Sequence, residues 1–205
     1  MRETPPQRRA FWLKHLHRWH WISAALSLIG MLLFAATGIT LNNAAHIEAS
    51  PSVVTREGVL PEPLRAELAA AGEAPTLPLS IERWLAAELG VTISGHEAER
   101  SSGEVYIALP RPGGDAWLTI DTQSGDVAYE LTRRGWISYL NDLHKGRNTG
   151  IVWSWFLDVF AGACVVFCLT GLFLLQLHAG NRPATWPVVG AGLAIPLLLA
   201  LLFIH

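Results

Sequence analysis

The sequence predicts a membrane α-helical protein: three transmembrane helices, with a small α+β domain inserted between the first and the second. Three observations predict it. Apolar residues make up 51% of the 205 residues and charged residues only 16%, and the apolar ones are gathered in blocks. Three of those blocks, residues 21–41, 151–177 and 185–204, reach the ~20 residues needed to cross a hydrocarbon core. The long stretch between the first two blocks carries instead Pro/Gly turns and short alternating runs, the pattern of strands.

Taken in order, residues 1–20 form a basic segment, in which Arg2, Arg8, Arg9, Lys14 and Arg18 are opposed only by Glu3. The excess of positive charge places this end in the cytoplasm. The first helix, residues 21–42, is too long for a signal peptide and lacks a small-residue cleavage site. Residues 43–148 then lie on the opposite side of the membrane. Within them, residues 42–63 read as a linker and residues 64–71 as an Ala-rich helical piece. Ser80 stands as the expected N-cap of a helix over 81–89, whose Ile81, Trp84, Leu85 and Leu89 share one face.

Strand chemistry follows at residues 104–109, 116–120 and 126–129, separated by turns at 110–115 and 121–125. The module thus reads as one helix and about three antiparallel strands. Residues 133–148 form a second basic, aromatic stretch, where Trp136 and Tyr139 fit an interfacial belt. The second helix spans 149–178 and the third 185–204, joined by a short loop with Arg182. Cys164 and Cys168 sit one turn apart inside the second helix and read as small apolar packing, so no disulfide supports the inserted domain.

Two cassettes recur. Leu16-His17-Arg18-Trp19-His20 leads into an apolar run ending in Thr37-Gly38, and Leu143-His144-Lys145-Gly146 leads into one ending in Thr170-Gly171. Imidazoles repeated at the boundaries of antiparallel helices suit a haem held between helices. Glycine lets a flat ring or a neighbouring helix approach the backbone, and the threonine hydroxyl can bond within its own helix.

The strand–turn run Leu118-Thr119-Ile120-Asp121-Thr122-Gln123-Ser124-Gly125-Asp126-Val127 resembles the last hairpin of a PepSY domain. Flanked by the two cassettes, it makes the chain similar to the PepSY-associated transmembrane family (PepSY-TM) from about Arg9 to His178. The resemblance implies a bacterial inner-membrane protein with a periplasmic PepSY-like domain. It also implies b-type haem on membrane histidines and, as in the related siderophore-iron reductases, electron transfer to ferric siderophore iron. Larger members of that family have four or more helices, so a complete haem pocket here calls for a second copy, a homodimer.

His17 and His20, three residues apart, share a helical face, and His178 closes the second helix on the same side. A His20–His178 or His17–His178 pair is therefore the first expected axial pair, although histidines among phospholipid headgroups occupy such positions too. His144 with His46 is the expected pair at the other side. Asp158, the lone carboxylate inside a span, falls fourteen residues after His144 on nearly the same face of one helix. Its expected place is the bundle interior, as a proton relay, a partner of a ligating His or of a haem propionate, or a polar helix contact.

No Gly-x-Ser-x-Gly, His-Glu-x-x-His or phosphate-binding glycine loop is present, which argues against hydrolysis and nucleotide chemistry. Nothing points to nucleic acid. Electrons would enter from membrane quinol or a redox partner. The competing reading is a membrane-anchored recognition or inhibitory module, or an accessory subunit of a transporter.

Overall fold

The computed structural model describes residues 5–48 and 50–204; Arg2 and Glu3 of the N-terminal charge count lie outside them. The chain forms two compact units, Met1–Leu33 with Trp155–His205, and Phe34–Ser154.

In the first unit the basic segment and the first apolar block are one helix, α1 (Pro5–Asn42). Its prolines stand in the first turn, where a missing N–H removes no helical bond. At 1.5 Å per residue its 38 residues span about 57 Å, well beyond a ~30 Å hydrocarbon core. The chain returns through α5 (Gly150–His178), and α6 (Thr185–Phe203) follows.

Antiparallel contact of α1 with α5 runs along small residues. Ser23 and Ser27 are buried, their hydroxyls donating to the Trp19 and Ser23 carbonyls at 2.7 Å. At Gly30 a β-carbon would clash with the edge of the Phe160 ring. Backbones can close up only where side chains are this small, the common pattern between membrane helices. By contrast α6 is apolar all round and buries no residue. All three helices are long and apolar enough to cross a membrane.

The second unit contains a five-stranded antiparallel sheet in the order β1-β5-β4-β3-β2. Its strands are β1 (Ser52–Val59), β2 (Glu99–Ser101), β3 (Glu104–Ala108), β4 (Gly114–Asp121) and β5 (Asp126–Arg133). Alternation puts Val105, Ile107, Leu118, Ile120, Val127 and Tyr129 on one face. There they meet Leu68 of α2 (Glu62–Ala70), Ile81 of α3 (Leu79–Trp84), and Leu85 and Leu89 of the π-turn that extends it. Packed helices leave the other face open.

Four expectations are corrected here. The presumed linker contains β1, which pairs with β5 along its whole length, Ser52 opposite Arg133 through Val59 opposite Asp126. A short strand β2 and a second domain helix add to the predicted count. Ser80 does not cap α3: Pro78 holds the cap position and the Ser80 hydroxyl bonds Glu67 at 2.6 Å. Finally, His144 does not open the second membrane-length helix. It lies on a separate helix, α4 (Trp136–Lys145), closed by Gly146 in the left-handed region at φ 67° before α5 begins.

Candidate functional site

His20, half-buried on α1, meets α5 through three contacts. Its Nδ1 lies 3.1 Å from Thr170 Oγ1, and its ring stacks on Phe167 with centroids 4.6 Å apart and planes within 16°. A β-carbon on Gly171 would stand 3.4 Å from the ring's Cε1, so glycine keeps the backbone open for the imidazole.

The second unit builds the same constellation from the other cassette. His144 of α4 places Nδ1 2.7 Å from Thr37 Oγ1, its centroid 4.9 Å from Phe34, and its Cε1 3.6 Å from where a Gly38 β-carbon would be. Each histidine thus closes on a Phe-x-x-Thr-Gly segment of the opposite apolar run: Phe34-Ala35-Ala36-Thr37-Gly38 or Phe167-Cys168-Leu169-Thr170-Gly171.

Thr170 Oγ1 also lies 2.7 Å from the Val166 carbonyl and Thr37 Oγ1 3.1 Å from that of Phe34. A hydroxyl can donate or accept, so either ring tautomer satisfies these two contacts. In the exposed His17 and His178 the tautomer is set, because Nδ1–H of each donates to the carbonyl one turn back, Leu13 and Leu174, at 2.8 Å. Nε2 is then the ring nitrogen left for a metal, and a bonded Nδ1–H is the usual support of a ligating imidazole. The rings of His17 and His178 meet edge to face, with centroids 6.1 Å apart and planes at 88°.

The profile of the PepSY_TM-like family matches residues 11–205. The chain belongs to that family. No curated protein and no solved structure matches it.

Within this PepSY_TM-like chain the structure brings His17 to His178, whereas His20 is taken up by Thr170 and Phe167. His46 ends the exposed 3-10 turn Ala44–His46, and no ring contact or hydrogen bond joins it to His144 among the described residues. Asp158 is exposed on α5 rather than interior, with no hydrogen bond or ion pair among the described residues. Its expected common face with His144 does not exist, because the two stand on different helices. Nor do three or more His, Cys, Asp or Glu side chains converge among the described residues. A metal held wholly by side chains finds no cage there, while a metal that brings its own equatorial ligands needs only two imidazoles.

Phe34 and Phe167 were not singled out in the sequence, although each stands three residues before its Thr-Gly. The open face of the sheet bears an acidic concavity lined by Glu57, Glu104, Asp121 and Asp126. There Asp121 accepts N–H bonds from Ser124 and Gln123 at 2.7 and 2.8 Å, which hold its carboxyl below the usual 3.8.

Proposed function

We propose that this PepSY_TM-like protein is a three-span inner-membrane protein that binds b-type haem and passes electrons across the bilayer to ferric siderophore iron. The observation that supports the cofactor reading is the pair His17 and His178, whose Nδ1–H groups are bonded to helix carbonyls so that Nε2 is the nitrogen left for a ligand. His17 and His178, with ring centroids 6.1 Å apart, would hold one haem. When bound, haem supplies a one-electron iron couple. The Leu13 and Leu174 carbonyls orient the rings, and Arg9 lies on the same end of α1 as a cation for a propionate. His144 has no second imidazole within reach among the described residues, so a haem there takes its other ligand from a second copy of the chain.

The membrane reading rests on α6, which is apolar on every side and buries none of its residues against the rest of the chain. Such a helix is stable only in lipid or inside a larger core. Siderophore iron as acceptor follows from the family resemblance alone, and quinol or a redox partner as donor from the lack of a nucleotide-binding glycine loop in the sequence.

The decisive experiment is a reduced-minus-oxidised visible spectrum of the full chain purified in detergent, with a pyridine haemochrome count. A sharp α-band with at least one haem per chain is expected, lost in His17→Ala and in His178→Ala. A haem-free chain from haem-replete cells overturns the electron-transfer reading. That result would favour the recognition module, for which the open sheet face and its acidic concavity are the supporting observation.

A further inference from the structure

The helix between the sheet and α5 has its polarity inverted. α4 buries Asn141 and Asp142, 7% and 6% exposed, and exposes Trp136 at 78% together with Ile137 and Leu140. Both buried polar groups are satisfied: Asn141 accepts from the Thr40 hydroxyl at 2.9 Å, and Asp142 accepts from the Gly113 N–H at 2.8 Å. Thr40 belongs to the last turn of α1, and α5 starts shortly after α4 ends. α4 is thus fixed between the ends of two candidate spans, at the depth where hydrocarbon gives way to headgroups. Its uncovered apolar side suits that depth and would be costly in water.

The Asp142–Gly113 bond brings the β3–β4 turn against the same helix. Between them lies a 310 Å³ cavity lined by Arg111, Arg133, Gly113, Gly135, Trp136 and Tyr139. The neighbouring Arg134 is paired with Asp115 at 2.8 Å. Arg111 and Arg133 have no side-chain hydrogen bond or ion pair among the described residues. Two unpaired guanidiniums beside a Trp and a Tyr, next to an apolar helix face, match the phosphate and the glycerol–acyl border of a phospholipid.

We propose that this cavity binds the headgroup phosphate of an anionic phospholipid, with Arg111 and Arg133 on the phosphate oxygens and Trp136 at the acyl border. A lipid rather than a free phosphate is the occupant because the cavity opens beside the exposed Trp136, Ile137 and Leu140. The inference rests on the membrane reading and is independent of haem.

The test is native mass spectrometry of the detergent-released full chain titrated with phosphatidylglycerol or with phosphatidylcholine. Retention of phosphatidylglycerol should be about tenfold stronger, from two cations near one phosphate. Arg111→Gln with Arg133→Gln should bring the two lipids to parity, and the Lys/Lys pair should restore most of the preference. Both arginines are exposed and unpaired, so a circular-dichroism spectrum like the wild type's is expected of each variant. Equal retention of the two lipids by the wild type, or a preference that survives in the Gln/Gln variant, overturns the proposal. So does equal thermal stabilisation by millimolar inorganic phosphate, which marks a soluble-anion site. Failure of the membrane reading shows separately, as release of the chain from membranes by alkaline carbonate.

Discussion

A threonine hydroxyl in a helix can serve a carbonyl of the preceding turn and a neighbouring side chain at once. Thr170 and Thr37 do so toward His20 and His144. Thr37→Val or Thr170→Val keeps the volume and removes the hydroxyl, leaving a half-buried ring nitrogen unpaired. Each should cost about 1 kcal/mol in detergent unfolding, with Ser in place of Thr nearly neutral. The ¹⁵N signals of labelled histidine should show a single tautomer at the ring in the wild type and a tautomer mixture there in the Val variant. Part of this was legible: both Thr-Gly pairs stand out, and glycine as a landing place for a ring is sound chemistry. The pairing was not. Aligning the cassettes on Leu-His equates His17 with His144, but the geometry equates His20 with His144, because the second cassette sits on a helix of its own.

Elements were legible where burial sets a period, as in β3, β4 and β5, or where an apolar run is long enough to span a membrane, as in α1, α5 and α6. β1 is the instructive miss. It is an edge strand exposed over nearly its whole length, so no core selects alternation in Ser52-Val53-Val54-Thr55-Arg56-Glu57-Gly58-Val59. Its place is fixed by backbone bonds to β5, which leave no side-chain signature. Amide hydrogen exchange reads those bonds directly. In an antiparallel edge strand every second N–H points to the partner, so alternate amides across residues 52–59 should be protected and their neighbours fast. Uniformly fast exchange would return this stretch to the status of a linker. The break between α4 and α5 was missed for a related reason. Leu143-His144 runs toward the apolar block with only Gly146, Asn148 and Gly150 to interrupt it, and all three hold positive φ.

At the scale of the whole molecule the proposed topology has an odd number of spans. Three crossings would put the N-terminal end of α1 and the C-terminal end of α6 on opposite sides of the bilayer, with charge deciding which is which. Arg8, Arg9, Lys14 and Arg18 ride on the first half of α1, a helix too long to lie wholly within the hydrocarbon. Moving that half through the membrane would desolvate four cations, and the α5–α6 connection, on the same side in this topology, adds Arg182. In the proposed topology the basic end stays in the cytoplasm and the sheet is exported. Alkaline phosphatase fused after α6 should be active and a green fluorescent protein at the same point dark, with the reverse for fusions placed after α5. Replacing Arg8, Arg9, Lys14 and Arg18 by neutral residues while adding three lysines to the α5–α6 connection removes the bias at its source only if that connection was external. Because it is cytoplasmic in this topology, the added lysines should hold α5 and α6 in place and the C-terminal fusion should stay active. A phosphatase-inactive fusion in the unaltered chain would instead put the sheet in the cytoplasm, where a route delivering electrons outward to it has no meaning.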